Sequence, residues 1–244
     1  MILNNSLRVF FIIKMIYKNL FIDLDDTLWD FQKNSIICLE QIYHDYNFDS
    51  FYSSFRDYYD VYLPSNHNLW DLYRQGKINR EELIVERILV PIRKFGISSH
   101  KYAKEISDDY LERTTRQTHL IDGAIELLTY LKPKYNMHIL SNGFTEVQYK
   151  KIENSGLTSF FDKIILSEDA GINKPHPQIF NYALDQANAS RADSLMIGDS
   201  LEADIEGAYN SNINQIWFNP NGDRINGINP TYVVKTLLEI KSIL

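Results

Sequence analysis

The sequence predicts an α/β protein: a parallel-sheet core interrupted near its start by an all-helical insertion. Two observations carry this prediction. From Met137 onward, short apolar runs alternate with helical patterns, as strands joined by helical crossovers do in a parallel sheet. Between the first apolar run and the second lie more than a hundred residues, where a crossover needs only about a dozen. That surplus reads as helix, so it is expected to form a second domain.

The elements follow in order. Leu7–Ile16 is apolar but is broken by Arg8 and Lys14, and it is too short for a membrane span. Residues 1–14 are therefore expected to be an extension outside the core, with Met15 placed like a natural start. The first strand is Leu20–Leu24. Residues 31–116 form the helical insertion, with helices expected at Asn34–Tyr46, Ser50–Leu63, Asn66–Arg74, Arg80–Phe95 and Ser99–Arg113. Pro91 should bend or interrupt the fourth of these. The core comprises residues 15–30 and 117–244. A helix at Gly123–Leu131 leads back to strands at Met137–Leu140, Lys163–Leu166, Ser194–Ile197 and Gln215–Phe218. The helices between them are expected at Glu146–Ser155, Gln178–Ala187 and Glu202–Asn210. Thr145 and Gln148 have the spacing of a capping box. Gly156 suits a helix C-terminus, and Pro177 suits a first turn.

Composition narrows the partners. The formal net charge is −7 with no basic run, which argues against a nucleic-acid polymer or an anionic membrane surface. A small anionic ligand stays possible, because a local site can be positive on an acidic protein. Cys38 is the sole cysteine, so no intramolecular disulfide can form and a reducing, cytoplasmic setting is the simple reading. Its apolar neighbours make it a buried small hydrophobe. The chain is expected to be a monomer or a homodimer.

The chemistry collects at strand ends. The first strand runs into Asp23, Asp25 and Asp26, and the carboxyl ends of parallel strands form the ligand crevice. Neighbouring carboxylates repel unless something neutralises them, and Mg²⁺ favours such oxygens. After the second strand, Ser141 offers a hydroxyl, and Asn142 and Gly143 offer amides beside a helix start, a combination that can hold a phosphate oxygen. Lys174 follows the third strand. Gly198 and Asp199 follow the fourth, with Asp204 about one helical turn beyond. Singly, each has an ordinary turn or surface reading. In sequence they supply what phosphoryl transfer needs: a nucleophile, a metal site, donors around the phosphate and a cation.

This order of motifs resembles the haloacid dehalogenase superfamily, especially its phosphatases with a helical cap. Residues 23–27 (DLDDT) look like its first motif, 140–143 (LSNG) its second, 173–175 (NKP) its third and 198–204 (GDSLEAD) its fourth. The resemblance covers almost all of the chain after Met15. It implies a Rossmann-like core with the nucleophile on the central strand. By motif position, Asp23 would form an aspartyl-phosphate, and Asp25 would protonate the leaving oxygen and later activate water. Mg²⁺ would be held by Asp23, the carbonyl of Asp25 and Asp199, with Asp204 an auxiliary ligand. Ser141 and the Asn142 amide would bind phosphate, and Lys174 would neutralise it.

Residues 141–184 and 69–83 are further similar to bacterial 5′-nucleotidases that act on pyrimidine nucleoside monophosphates. That implies a small phosphorylated metabolite, a nucleoside 5′-monophosphate, as substrate. Ser141 stands where many relatives carry Thr, which keeps the hydroxyl. Residues 121–124 (IDGA) replace a more usual Pro-Gly-Ala, which affects a turn. Rival readings are a phosphosugar phosphatase or mutase, a haloacid dehalogenase, and a non-catalytic binder of phosphometabolites. The dehalogenase needs a nucleophilic Asp but no acid two residues on and no metal, so Asp25 together with Asp199 speaks against it. Trp70 and Arg87 are the cap residues expected to meet substrate, while most rings of the Phe48–Tyr62 region are expected to pack the cap.

Overall fold

A computed structural model of the chain describes residues 17–224 and 227–244. The expected extension at residues 1–14 lies outside the described residues. Six parallel strands form one sheet: β1 (Asn19–Ile22), β2 (Asn136–Ser141), β3 (Lys163–Leu166), β4 (Ser194–Gly198), β5 (Asn214–Phe218) and β6 (Tyr232–Val234), in the order β3-β2-β1-β4-β5-β6. The α/β parallel-sheet expectation holds. β6 was not anticipated, because three residues are too few to show a pattern.

Alternation along the central strands decides what each face buries. Leu20, Ile22, Met137, Ile139, Leu195 and Ile197 point to one face. There α5 (Ala124–Leu131) covers them with Leu127, Leu128 and Leu131. Phe21, Leu140, Ile165 and Met196 point to the other, against Ile179, Phe180 and Leu184 of α8 (Pro177–Ala187). Pro177 does open α8 in its first turn. With both faces buried, these strands read as continuous apolar runs.

Between β1 and β2 the chain builds α1 (Phe31–Asp45), α2 (Phe55–Arg74), α3 (Arg80–Arg93) and α4 (His100–Thr115). They enclose their own apolar cluster, which includes Cys38, Phe48, Tyr58, Ile88 and Ile106. Cys38 is buried and free, as its neighbours implied. Phe48, Tyr58 and Tyr62 are also buried, so these rings pack the insertion.

Two helix expectations need correction. Ser50–Leu63 and Asn66–Arg74 are one helix, α2, which starts later and runs through Pro64. Its start is fixed by Ser54, whose hydroxyl accepts the Asp57 N–H at 3.1 Å. Past the proline, the Ser65 hydroxyl donates to the Val61 and Tyr62 carbonyls at 3.0 and 2.8 Å. Pro91 likewise sits inside α3, which ends two residues later. Among the described residues no helix is long and apolar enough to cross a membrane.

The insertion meets the core where Leu69 of α2 and Leu83 and Ile84 of α3 pack on Phe144 and Val147. Phe144 immediately precedes α6 (Thr145–Asn154), and Val147 lies within it. Trp70 stacks on Phe144 with ring centroids 5.4 Å apart. Arg80 lies 4.3 Å over the same ring and pairs with Glu146 and with Glu168, the latter on α7 (Ser167–Ala170). This contact roofs the carboxyl ends of the strands.

Candidate active site

β1 and β4 lie side by side, with β2 and β3 beyond one and β5 and β6 beyond the other. The connection order reverses at this pair, which opens a crevice there. Asp23 continues the line of β1, its N–H donating to the Ile197 carbonyl at 2.9 Å. Asp199 follows β4. Thr27 ties the two ends together: its hydroxyl donates to Asp199 Oδ1 at 2.9 Å and accepts the Asp199 N–H at 3.1 Å. Trp217 of β5 adds an indole N–H to the Asp199 carbonyl at 2.8 Å.

Lys174 organises the interior of the site. It is 1% exposed, and its three ammonium protons match three acceptors. Nζ donates to Asp23 Oδ1, Asp204 Oδ1 and the Leu140 carbonyl, each at 2.6 Å. Burial pulls its pKa down, but Asp204 and Asp23 outweigh that and raise it, so the ammonium persists. Asp204 Oδ2 accepts the Ser200 N–H at 3.1 Å. Asp204 belongs to a π-helical turn, Leu201–Glu206. It packs so tightly on Gly198 that a Cβ there would collide with its carboxylate, which explains the glycine before Asp199.

The loop after β2 completes the floor. The Asn142 side chain clamps the backbone of Lys174, donating to its carbonyl at 2.9 Å and accepting its N–H at 2.8 Å. Ser141 Oγ accepts the Gly143 N–H at 3.1 Å and the Gln148 amide at 2.8 Å. Gln148 also donates to Asp25 Oδ2 at 2.7 Å, while Lys151 donates to Asp25 Oδ1 at 2.7 Å. Lys151 is buried over the Trp29 ring, 4.1 Å from its centroid. A Cβ on Gly143 would strike Gln148, so that glycine admits the amide to the site.

The capping box expected from Thr145 and Gln148 is absent. Phe144 is the N-cap, and the Thr145 N–H donates instead to Glu168 Oε2 at 2.7 Å. An incoming carboxylate caps the helix, which frees Gln148 to turn into the site. Gln148 and Lys151, one turn apart on α6, and Thr27 are the site residues that sequence reasoning missed. The three-residue spacing of a polar pair on a helix otherwise buried by Val147 and Ile152 was the available signal.

Asp23, Asp199 and Asp204 each bring a carboxylate oxygen within 4.8 Å of the others. Burial pushes Asp23 up to about 7 against the pull of Lys174, with Asp204 adding to the rise. Burial, then Asp23 and Asp204, push Asp199 well above the ordinary carboxylate range. Crowded hard oxygens that resist ionisation together fit a divalent cation such as Mg²⁺. Asp204 already serves Lys174 and Ser200 with its two oxygens, so Asp23 and Asp199 are the freer donors.

A stability prediction follows from the sign of these shifts. A carboxylate whose folded pKa is raised binds more protons folded than unfolded, so the metal-free protein loses stability as pH rises from about 4 toward the raised value. Asp199→Asn removes one of the repelling charges. It should raise the melting temperature of the chelator-treated protein at pH 8, by about 2–4 °C per kcal/mol relieved. It should also abolish the Mg²⁺-induced rise. A full Mg²⁺-induced rise in the variant would exclude Asp199 as a ligand.

The nine residues expected from the sequence to carry catalysis, phosphate, metal or substrate contact line one cavity of about 440 Å³: Asp23, Asp25, Ser141, Asn142, Lys174, Asp199 and Asp204 from the core, and Trp70 and Arg87 from the insertion.

Residues 20–218 match the haloacid dehalogenase-like hydrolase family. YfnB of Bacillus subtilis, a HAD-hydrolase by name, is 32% identical over 93% of this chain and 95% of its own. The crystal structure of YfnB bound to magnesium superposes with a TM-score of 0.84, covering 93% of this chain and 98% of that one. The pyrimidine 5′-nucleotidase YjjG of Escherichia coli is 32% identical over 92% of this chain and 96% of its own. The pyrimidine 5′-nucleotidase PynA of Streptococcus pneumoniae is 32% identical over 90% and 92%.

Proposed function

Because the chain belongs to the haloacid dehalogenase-like hydrolases, we propose that it is a Mg²⁺-dependent phosphomonoesterase that acts on nucleoside 5′-monophosphates through an aspartyl-phosphate on Asp23. The observation that carries this reading is the buried Lys174 ammonium, which holds Asp23 in line with β1 while Asp199 stands across the crevice. The substrate class draws on the two pyrimidine 5′-nucleotidases that align over nearly the whole chain.

Residues 31–116 act as the cap, and residues 15–30 and 117–244 as the catalytic core. Mg²⁺ would be held by Asp23, Asp199 and the Asp25 carbonyl, with Asp204 behind them, and when bound it supplies positive charge where carboxylate and phosphate meet. The free oxygen of Asp23 attacks phosphorus as the bond to the ester oxygen breaks. Lys174 keeps the other oxygen fixed. The Ser141 hydroxyl and the Asn142 amide receive phosphate oxygens. Asp25 gives its proton to the departing oxygen, then takes one from the water that hydrolyses the intermediate, which restores Asp23 and releases phosphate. To do so it exchanges its bonds to Gln148 and Lys151 for the substrate. A halide leaves without taking a proton, so its displacement has no use for this acid.

The test is Mg²⁺-dependent phosphate release from a panel of nucleoside monophosphates, sugar phosphates and phosphorylated acids. Release that chelation stops, with the nucleotides turned over best, is the expected result. A clear preference for sugar phosphates would replace the substrate class and leave the chemistry standing. Asp25→Ala should cut turnover by about 10²–10⁴-fold, yet keep the Mg²⁺-induced rise in melting temperature. Full activity in that variant would remove Asp25 from the mechanism.

A further inference from the structure

The cap end of the cavity holds two buried polar groups that the chemistry above does not use. Asn66 of α2 is 3% exposed. It lines the cavity, and its Oδ1 has no hydrogen-bond partner. A buried amide oxygen left unpaired is destabilising, and such groups are otherwise nearly always satisfied. Arg87 of α3 is 2% exposed and lines the same cavity. Its Nε and Nη2 donate to Ser107 Oγ and carbonyl at 2.7 and 3.3 Å, and the guanidinium lies 4.8 Å from the Tyr110 ring centroid. Among the described residues no carboxylate pairs with Arg87, and its Nη1 has no protein partner. A buried guanidinium without a counter-charge and a buried amide without a donor are each incomplete.

These two groups complement each other toward a ligand. Arg87 only donates, so it calls for carbonyl oxygens. Asn66 Oδ1 calls for an N–H, and its amide nitrogen can donate beside it. An N–H flanked by carbonyls is an imide, the edge that uracil and thymine present. Trp70, stacked on Phe144, gives the cavity a flat aromatic wall, which suits a planar ring. A carboxylate would satisfy Arg87 but would repel Asn66 Oδ1.

We propose that Asn66 and Arg87 determine base specificity by hydrogen-bonding the imide edge of a uracil or thymine base, Asn66 Oδ1 accepting its ring N–H and Arg87 donating to a ring carbonyl. This inference rests on the nucleotide reading above and adds the residues that read the base and the edge they read. It makes uridine and thymidine monophosphates better substrates than cytidine monophosphate, whose ring nitrogen carries no proton.

The test compares kcat/KM for uridine 5′-monophosphate, its 3-methyl derivative, cytidine 5′-monophosphate and ribose 5-phosphate, in the unaltered protein and in Asn66→Leu. Methylation removes the ring N–H without touching the protein, so its effect cannot come from misfolding. The unaltered protein should favour uridine monophosphate over the 3-methyl compound by about tenfold or more, since a site built to bind a donor rejects the analogue lacking it. In Asn66→Leu that ratio should fall to near one. Equal turnover of uridine monophosphate and its 3-methyl derivative by the unaltered protein, or a ratio left unchanged by Asn66→Leu, with both compounds still well above ribose 5-phosphate, would overturn this inference and leave the nucleotide reading intact. Ribose 5-phosphate turned over as well as uridine monophosphate would overturn both. A phosphorylated sugar acid preferred over all four would assign Arg87 to a carboxylate and overturn the imide assignment.

Discussion

Asp23→Asn is expected to lower Mg²⁺-dependent phosphate release by about four orders of magnitude or more, the scale seen when a covalent nucleophile is removed. The asparagine amide keeps the shape of the side chain but carries no charge to attack phosphorus. It also removes one of the two negative charges facing Lys174, which leaves Asp204 as its anionic partner. Four orders correspond to about 5.4 kcal/mol of lost transition-state stabilisation. The melting temperature in the absence of metal should stay within a few degrees or rise, because burial already holds Asp23 up at about 7 and the uncharged amide is no less tolerated there. Loss of rate with the fold retained assigns chemistry to Asp23. A variant within about tenfold of the unaltered rate would contradict covalent catalysis at this position.

Asp23 was legible in the sequence because the strand that carries it is buried on both faces. Residues 20–22 are all apolar up to the carboxylate, and a charge at the end of such a run lands in the crevice. Ser141 and Asp199 stand just past apolar runs in the same way, whereas Lys174 lies eight residues beyond the third run, before a proline-marked helix start. The helical insertion was legible only as a length of helical pattern. Its internal boundaries failed at Pro64, because one continuous helix runs through the proline where a break was expected. Gln148 and Lys151 stayed hidden because both were absorbed into an ordinary amphipathic helix. What exposes them is the direction in which α6 leaves the β2 loop, and Glu168, distant in sequence, fixes that direction. Asn66 gave no signal at all. An asparagine in a polar stretch of helix is unremarked until its burial and its missing partner are known together.

Lys174→Met is expected to cost both stability and activity, and the two losses can be separated. The substitution leaves Asp23 and Asp204 buried without a cation and the Leu140 carbonyl without its donor. Removing one partner from a buried ion pair costs about 3–5 kcal/mol, or a fall of about 6–20 °C in melting temperature for a chain of this size. The deficit should depend on pH. Without the ammonium, nothing offsets the burial that raises Asp23, so it binds a proton more tightly in the folded state than in the unfolded one and the variant loses stability as pH rises above the ordinary carboxylate value. The gap to the unaltered protein should therefore be small near pH 5 and large at pH 8. Adding Asp204→Asn to Lys174→Met removes one of the stranded charges and should recover part of the stability at pH 8, a coupling expected of residues in direct contact. It should recover none of the turnover, because the ammonium that fixes Asp23 and offsets the phosphate charge is still missing. Recovery of both together would make Lys174 a purely structural residue. Recovery of stability alone gives it a role in the reaction as well as in the fold.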